Sequence, residues 1–161
     1  MPTFHIQIVG QPINGANGKP IPIPPGTALQ QRGPVIQVQL GLEQTMAQAL
    51  TQQGKTPPAF KTGFALIDTG ASVSCVDDSA AKELKLPVVD VAQMTSASHS
   101  AHPCNMYPVQ LNLPGGIGFG APRAMGANLA VQGFIAIIGR DVLQRCTMFY
   151  NGNAGQITLS L

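Results

Sequence analysis

Apolar and polar residues alternate along several short stretches of the chain, and this period of two residues predicts strands. The alternation is clearest at residues 35–42 (V-I-Q-V-Q-L-G-L) and 107–113 (Y-P-V-Q-L-N-L). Short apolar runs elsewhere also favour strands, some of them buried. The predicted strands cover residues 3–9, 35–42, 60–67, 73–76, 107–113, 128–131, 134–138, 147–150 and 156–161. The chain is therefore expected to be mainly β.

The helical segments are expected to be few and short. Helical patterns occur at residues 43–53, 78–84 and 141–145. Gly54 is a typical stop signal for the first of these segments, and Asp77 or Asp78 is a typical N-cap for the second. These features predict an all-β lobe with one or two short helices.

Proline and glycine mark the irregular parts of the chain. Residues 11–33 contain P-I-P-I-P-P-G and predict a loop or an extended arm, and residues 114–120 predict a glycine-rich turn. A polar stretch before the strand at residue 107 predicts a hairpin with a tip of small residues near 96–100. No internal repeat is visible. Residues 1–161 are interpreted as a single domain, made of a strand and arm (1–33) and a main lobe (34–161).

Composition excludes several classes of protein. The 161 residues are 44% hydrophobic and 10% charged, which is typical of a globular domain with a core of its own. A net charge of +2 from scattered Lys and Arg, with no Trp, argues against a nucleic-acid partner. Three distant cysteines without a C-x-x-C motif favour a reducing compartment. Neither a signal peptide nor a membrane-spanning stretch is visible, so we expect a cytoplasmic protein without a membrane partner.

One acidic residue follows an apolar run in F-A-L-I-D-T-G-A-S-V-S-C, residues 64–75. A buried, isolated carboxylate is costly, so Asp68 at this position suggests a function. A carboxylate on a tight turn can activate water, but cutting an amide needs a second acid beside it. No other acid in the chain precedes Thr-Gly or Ser-Gly. The chain therefore offers no second copy of this motif.

Two ordered motifs, A-L-I-D-T-G-A-S at residues 65–72 and A-I-I-G-R-D-V-L at residues 136–143, resemble those of retropepsin-like aspartic proteases, the family of retroviral proteases and their cellular relatives. The resemblance implies a single-lobe acid-protease β-barrel that is closed by homodimerisation. It also implies an aspartic endopeptidase in which two Asp68 carboxyls share a proton and activate water. A peptide or protein would be the substrate, with no metal and no organic cofactor.

The resemblance also assigns roles to residues around Asp68. Thr69, Gly70 and Ala71 would form and brace the active-site turn. Gly139 would let a buried strand pass close beneath that turn. Arg140 would anchor the region through charge-assisted hydrogen bonds, next to Asp141. Ser72 stands where retroviral members commonly have an acid that pairs with this arginine, so the partner of Arg140 is open among Asp77, Asp78 and Asp141.

A mobile hairpin, the flap, would cover the substrate between these two motifs. Its tip residues here are Ser96, Ala97, Ser98 and His99, which are small or polar but include no glycine. Met106 and Tyr107, where the flap returns, are the candidates for shaping the roof of the cleft.

Plainer interpretations stand beside these assignments. Asp68 could be a structural turn residue. His99, His102 and Cys104 could be read as a metal site, although a fourth ligand is not evident and incidental histidines are favoured. Cys75 could be a redox switch, although a small core residue is favoured. The alternative function is a catalytically inactive peptide-binding or assembly module on the same fold.

Overall fold

The computed structural model of the chain describes residues 3–14, 16–96 and 99–160, without the side chains of residues 95–101. Within these residues the strands are β1 (Thr3–Gln7), β2 (Ile13–Asn14), β3 (Pro20–Ile21), β4 (Val35–Leu42), β5 (Lys61–Ile67), β6 (Cys75–Asp77), β7 (Asp90–Ser96), β8 (His99–Leu113), β9 (Ile117–Ala127), β10 (Ala136–Ile138), β11 (Thr147–Asn151) and β12 (Gln156–Ser160). The α-helices are α1 (Pro25–Arg32), α2 (Gln44–Gln52), α3 (Asp78–Glu83) and α4 (Arg140–Leu143), with 3-10 turns at Pro114–Gly116 and Ala130–Gln132.

Six strands form a closed barrel in the order β4-β5-β10-β6-β9-β8, and β8 pairs back onto β4. The closing pairs run antiparallel from Gln39 opposite Asn112 to Leu42 opposite Val109. Closure satisfies the edges of the sheet, which would otherwise expose unpaired backbone groups. The predicted all-β fold with short helices is confirmed, although the described residues contain four α-helices rather than one or two.

The core of the molecule lies inside the barrel. Leu40, Val109 and Leu111 are completely buried there. A second sheet of three strands, in the order β1-β12-β11, adds Ile157 and Leu159 to the same core. The termini therefore contribute to the apolar cluster that the barrel builds. No helix in the described residues has the length and apolar character needed to cross a membrane.

The proline-rich arm differs from the prediction. Residues 11–33 were expected to be a loop or an extended arm, but they contain the short pair β2–β3 and the helix α1. Pro25 occupies the first turn of α1, where its missing N–H is not needed, and Gly33 ends the helix with a φ of 74°. Ala28 and Leu29 bury this helix in the core. Proline and glycine here mark helix ends rather than an irregular chain.

Strand β9 was not predicted, because its glycines interrupt the apolar pattern. The turn expected at residues 114–120 ends at Gly116, and β9 then continues to Ala127. Ile117, Phe119 and Ala121 are buried and alternate with exposed residues. The strand predicted at residues 128–131 is wrong: these residues lead into a 3-10 turn, and Val131 is 78% exposed.

The flap hairpin is formed by β7 and β8. These strands pair antiparallel from Asp90 opposite Met106 to Ser96 opposite His99, with an irregularity between Met94 and Ser96. The predicted hairpin is present up to these residues. Ala97 and Ser98, expected at its tip, lie outside the described residues.

Candidate active site

The Asp68 turn begins where two parallel strands end side by side. β5 pairs with β10, with Ala65 opposite Ala136 and Ile67 opposite Ile138. The pairing continues one residue further, because the Asp68 N–H donates to the Ile138 carbonyl at 2.9 Å. The chain then turns, and the Ala71 N–H donates to the Asp68 carbonyl at 3.3 Å. The barrel thus fixes the backbone of Asp68 directly.

The Asp68 carboxylate is held from one side. The Gly70 N–H donates to Oδ1 at 2.7 Å, and a Cβ at position 70 would lie 3.0 Å from the same oxygen. Asp68 is half-buried, whereas Thr69 and Gly70 are exposed. Oδ2 accepts no hydrogen bond from the described residues. The turn therefore orients one oxygen and leaves the other without a partner among the described residues.

Arg140 binds the backbone of this turn and not an acidic side chain. Its Nη1 donates to the Thr69 carbonyl at 2.7 Å and to the Gly70 carbonyl at 2.8 Å, and its backbone N–H donates to the Ala71 carbonyl at 2.9 Å. The expected choice of Asp77, Asp78 or Asp141 as its partner is therefore wrong. A charged donor on two carbonyls holds the turn in shape without any second acid.

Asp141 and Ser74 form a link beneath the turn that the sequence did not reveal. The Ser74 hydroxyl donates to Asp141 Oδ1 at 2.7 Å, and the Ser74 N–H contacts both carboxylate oxygens at 3.0 and 3.1 Å. The same hydroxyl accepts from the Gly139 N–H at 3.0 Å. Ser74 is completely buried. A polar residue inside the apolar stretch V-S-C-V is the signal that points to such a role.

Gly139 has the close backbone contact expected of it. A Cβ at this position would lie 2.8 Å from the Val73 carbonyl carbon and 3.0 Å from the Ser74 nitrogen. Both contacts are with backbone atoms of the segment just before β6, which cannot move aside as the end of a flexible side chain could. Only glycine allows α4 to begin this close to the segment after the turn.

An apolar row crosses the barrel on the face that carries Asp68. Side chains two residues apart in a strand share a face, so Leu66 lies on the side of Asp68. Lateral pairing extends the row through Ile137, Cys75, Met125 and Met106. Leu66, Ile137, Cys75 and Met125 are half-buried, and Met106 is buried. The turn is thus flanked by an apolar wall that ends at the flap strand β8.

Comparison with known proteins finds similarity at the level of structure. No family model and no curated protein matches the chain. Among solved structures, a retropepsin-like aspartic protease from Rickettsia conorii aligns over 98% of this chain and 91% of its own, with 14% sequence identity and a TM-score of 0.43. A similarity this distant says nothing of activity.

Tyr107 does not lie where the cleft roof was expected. Its ring is on the opposite face from Met106, is 1% exposed, and belongs to the core. The phenol donates to Asp78 Oδ1 at 2.7 Å, and the other oxygen of Asp78 accepts from Lys82 at 2.9 Å. Burial, together with the hydrogen bond to Asp78, raises the pKa of Tyr107. Tyr107 joins β8 to α3, and only Met106 of this pair lies on the face of Asp68.

The remaining flap and cysteine assignments have mixed outcomes. The side chains of Ser96 and His99, like the whole of Ala97 and Ser98, lie outside the described residues. Among the described residues, no group of three His, Cys, Asp or Glu side chains is placed to hold a metal ion.

Burial, with smaller effects from Cys104, Asp141 and Asp68, raises the pKa of Cys75 to about 11. Its thiol therefore stays protonated near neutral pH, which does not favour a redox switch.

Proposed function

We propose that this protein is a retropepsin-like aspartic endopeptidase, active as a homodimer in which two copies each contribute Asp68. The observation that carries the proposal is the Asp68 carboxylate itself. Gly70 orients Oδ1 at 2.7 Å, and Oδ2 has no partner among the described residues, at the end of two paired strands. A single carboxylate held in this way is half of a catalytic pair.

The rigidity of the turn supports a catalytic role over a purely structural one. Arg140 donates to two of its carbonyls, and the Ser74–Asp141 link fixes the segments beneath it. Thr69 and Gly70 nevertheless remain exposed. A structural turn gains little from such bracing at an open surface, whereas a reacting group must be held within a narrow range of positions.

The proposed reaction uses one proton shared between the two carboxyls. Two carboxylates this close cannot both ionise freely, so the pair has one ionised member and one protonated member. The ionised carboxylate accepts a proton from water as the water oxygen attacks the peptide carbonyl carbon. The protonated carboxyl donates to the carbonyl oxygen of the tetrahedral intermediate, and proton transfer to the nitrogen then releases the amine product.

The apolar wall beside the turn indicates which substrates fit. Ile137, Cys75 and Met125 are half-buried and uncharged. A peptide running past Asp68 would place apolar side chains against this wall, because a charged one would lose its hydration without a partner. The substrate class is therefore an extended peptide with apolar residues near the cut bond.

The test compares the wild type with Asp68→Asn on unfolded casein, from acid to neutral pH. Asparagine keeps an oxygen for the Gly70 N–H but cannot take the proton, so cleavage should fall by about 10²–10⁴-fold. Glu83→Gln is the control for the same carboxylate-to-amide change, because Glu83 is an exposed acid of α3, outside the turn and the flap, paired with Lys61. Equal cleavage by wild type and Asp68→Asn would exclude the proposed chemistry, and peptide binding without any cleavage would favour a binding module.

A further inference from the structure

A second groove lies at the far end of the strands that carry Asp68. It is a cavity of about 760 Å³ between α2 and the β8–β9 hairpin, lined by Leu42 at the end of β4 and by Phe60 just before β5. Asp68 follows the other end of β5. At about 3.3 Å per residue, the length of β5 separates the two sites by roughly 20 Å. The groove is therefore distinct from the proposed catalytic turn.

The groove is lined by neutral polar side chains. Those with a terminal amide are Gln44, Gln48 and Gln52 of α2 and Gln110 and Asn112 of β8, and none of the lining residues is charged. Amide groups can donate and accept hydrogen bonds but cannot neutralise a charge. None of these lining side chains can pair with a charge, so we expect the groups of the ligand that contact them to be uncharged.

The two amides of β8 are already paired with each other. Gln110 Nε2 donates to Asn112 Oδ1 at 3.2 Å. The pair leaves Gln110 Oε1 to accept and Asn112 Nδ2 to donate, without other side-chain partners among the described residues. If the O and N positions of both amides were exchanged, the pair would still leave one oxygen to accept and one NH₂ group to donate. A peptide group offers one N–H and one C=O, so its hydrogen-bonding capacity matches this pair.

Glycine makes room for this amide pair. A Cβ at Gly118 would lie 2.5 Å from Gln110 Nε2 and 2.9 Å from Asn112 Oδ1. The two amides therefore lie across the backbone of β9, and any side chain at position 118 would displace them. Gly116 lines the groove together with Gly118. Glycine at both positions adds no side chain between a ligand and the amides, so a ligand can come close to them.

Phe60 forms an apolar seat in the groove. Its ring packs on the backbone of Gly41, where a Cβ would lie 2.5 Å from Cδ1 and Cε1. Phe60 is nevertheless 47% exposed, and it lines the groove together with Pro57. An exposed aromatic ring on a rigid support can bind an apolar side chain.

The spacing of the amides matches an extended polypeptide. Gln110 and Asn112 are two residues apart on one strand face, about 6.6–6.8 Å, which is the repeat of an extended chain. Gln44, Gln48 and Gln52 follow one another at intervals of four residues, about 6 Å along the helix axis. Together they span about 12 Å, the length of roughly four extended residues. A single sugar ring would not use this repeat.

We propose that this groove binds an uncharged, extended segment of an unfolded polypeptide, through its main chain and one apolar side chain seated on Phe60. The groove would bind a protein substrate at a distance from Asp68, so this proposal rests on the proposed function. Binding does not need Asp68, however, and can be tested without catalysis.

The experiment measures fluorescence anisotropy of a labelled ten-residue peptide of alternating Leu and Ser on the Asp68→Asn protein. Gln110→Leu with Asn112→Leu removes the amide pair and should weaken binding by about tenfold or more, the value of one or two hydrogen bonds. Gln48→Ala with Gln52→Ala should also weaken it, and these exposed helix positions tolerate alanine without loss of folding. Gln132→Leu, an exposed amide outside the groove, is the control and should change nothing.

A second peptide, N-methylated at alternate residues, tests main-chain recognition. It keeps the side chains but lacks half of the N–H donors, and its affinity should fall by about tenfold. Equal binding of both peptides, or binding that neither double variant changes, would overturn the proposal. Binding of maltohexaose that depends on these amides, with no peptide binding, would identify a saccharide site and also overturn it. Loss of casein cleavage in Asp68→Asn bears only on the catalytic proposal.

Discussion

At the scale of single residues, Asp77 shows how a buried acid can be fully satisfied. Its carboxylate is 3% exposed and accepts from the N–H groups of Ala80, Leu129 and Ala130 and from the Ser79 hydroxyl. It therefore caps α3 and holds the 3-10 turn Ala130–Gln132 against it. Burial alone would raise the pKa of Asp77, but these hydrogen bonds outweigh it and lower the pKa.

Replacing Asp77 by asparagine should lower the free energy of unfolding by about 2–3 kcal/mol at neutral pH. Both carboxylate oxygens accept hydrogen bonds, so the amide NH₂ would face donors on one side. Because the pKa is lower in the folded state, the contribution of Asp77 is present above the unfolded value of about 4 and is lost as the pH falls through the folded value. The difference between the two proteins should therefore shrink in acid.

Urea unfolding followed by circular dichroism, at neutral and acid pH, measures both effects. Asp90→Asn is the control: its carboxylate is 43% exposed and pairs with Arg123, so its loss should cost less than about 1 kcal/mol. A difference between wild type and Asp77→Asn that does not depend on pH would contradict this account.

The sequence identified Asp68 but not all of the residues that hold its turn in place. Asp68 could be identified because an apolar run delivers it to Thr-Gly, a pattern local to a few residues. Ser74 and Asp141 are 67 residues apart, and only the folded chain brings the hydroxyl and the carboxylate together. Short-range patterns cannot report such a contact, because the partner is chosen by strand pairing.

At the scale of secondary structure elements, regular patterns within one strand could again be predicted, whereas features set by a neighbouring strand could not. The strand at residues 35–42 was predicted with its observed bounds, because one face of it is buried and the alternation is regular. Strand β9 was missed because glycines interrupt its pattern, at positions 118 and 120 on its exposed face and at the buried position 126. Gly118 leaves room for the Gln110–Asn112 amide pair of the neighbouring strand β8. The glycine that interrupts the pattern of β9 is therefore required by a contact with another strand.

The short helix α4 contacts the Asp68 turn mainly through Arg140. Arg140→Gln removes the charged donor from the Thr69 and Gly70 carbonyls. If Asp68 is catalytic, kcat should fall by about 10–100-fold, because small errors in the position of a reacting group are costly. KM should change little, since the apolar wall is untouched.

Casein or peptide cleavage, with kcat and KM measured separately, tests this. Arg145→Gln is the matched control, an exposed arginine just beyond the same helix, and it should leave kcat unchanged. Urea unfolding distinguishes a positioning effect from general destabilisation, because Arg140 is exposed and contributes little to the core. Equal kcat values for both variants would exclude a positioning role for Arg140.

At the scale of the whole molecule, closure of the barrel places two unlike sites at opposite ends of the same strands. The pairing of β4 with β8 closes the barrel and also brings Leu42 and Gln110, which both line the amide-lined groove, onto neighbouring strands. This pairing joins residues about 70 positions apart and is not visible in any local pattern. The sequence therefore predicted the acid turn, whereas the groove became apparent only with the fold.

Subunit mixing tests whether the active site is shared between two copies. Asp68→Asn chains added to an equal amount of wild type, and allowed to exchange, should leave about half of the wild-type chains in fully active dimers, since closed two-fold dimers form at random. Activity should therefore fall to about half at equal amounts, and to about one tenth at an about ninefold excess of the variant. Glu83→Gln retains Asp68 and lies outside the flap, so it should instead add activity. If cleavage by wild type is unchanged at every ratio of Asp68→Asn, each chain must carry a complete site, and the dimeric mechanism is wrong.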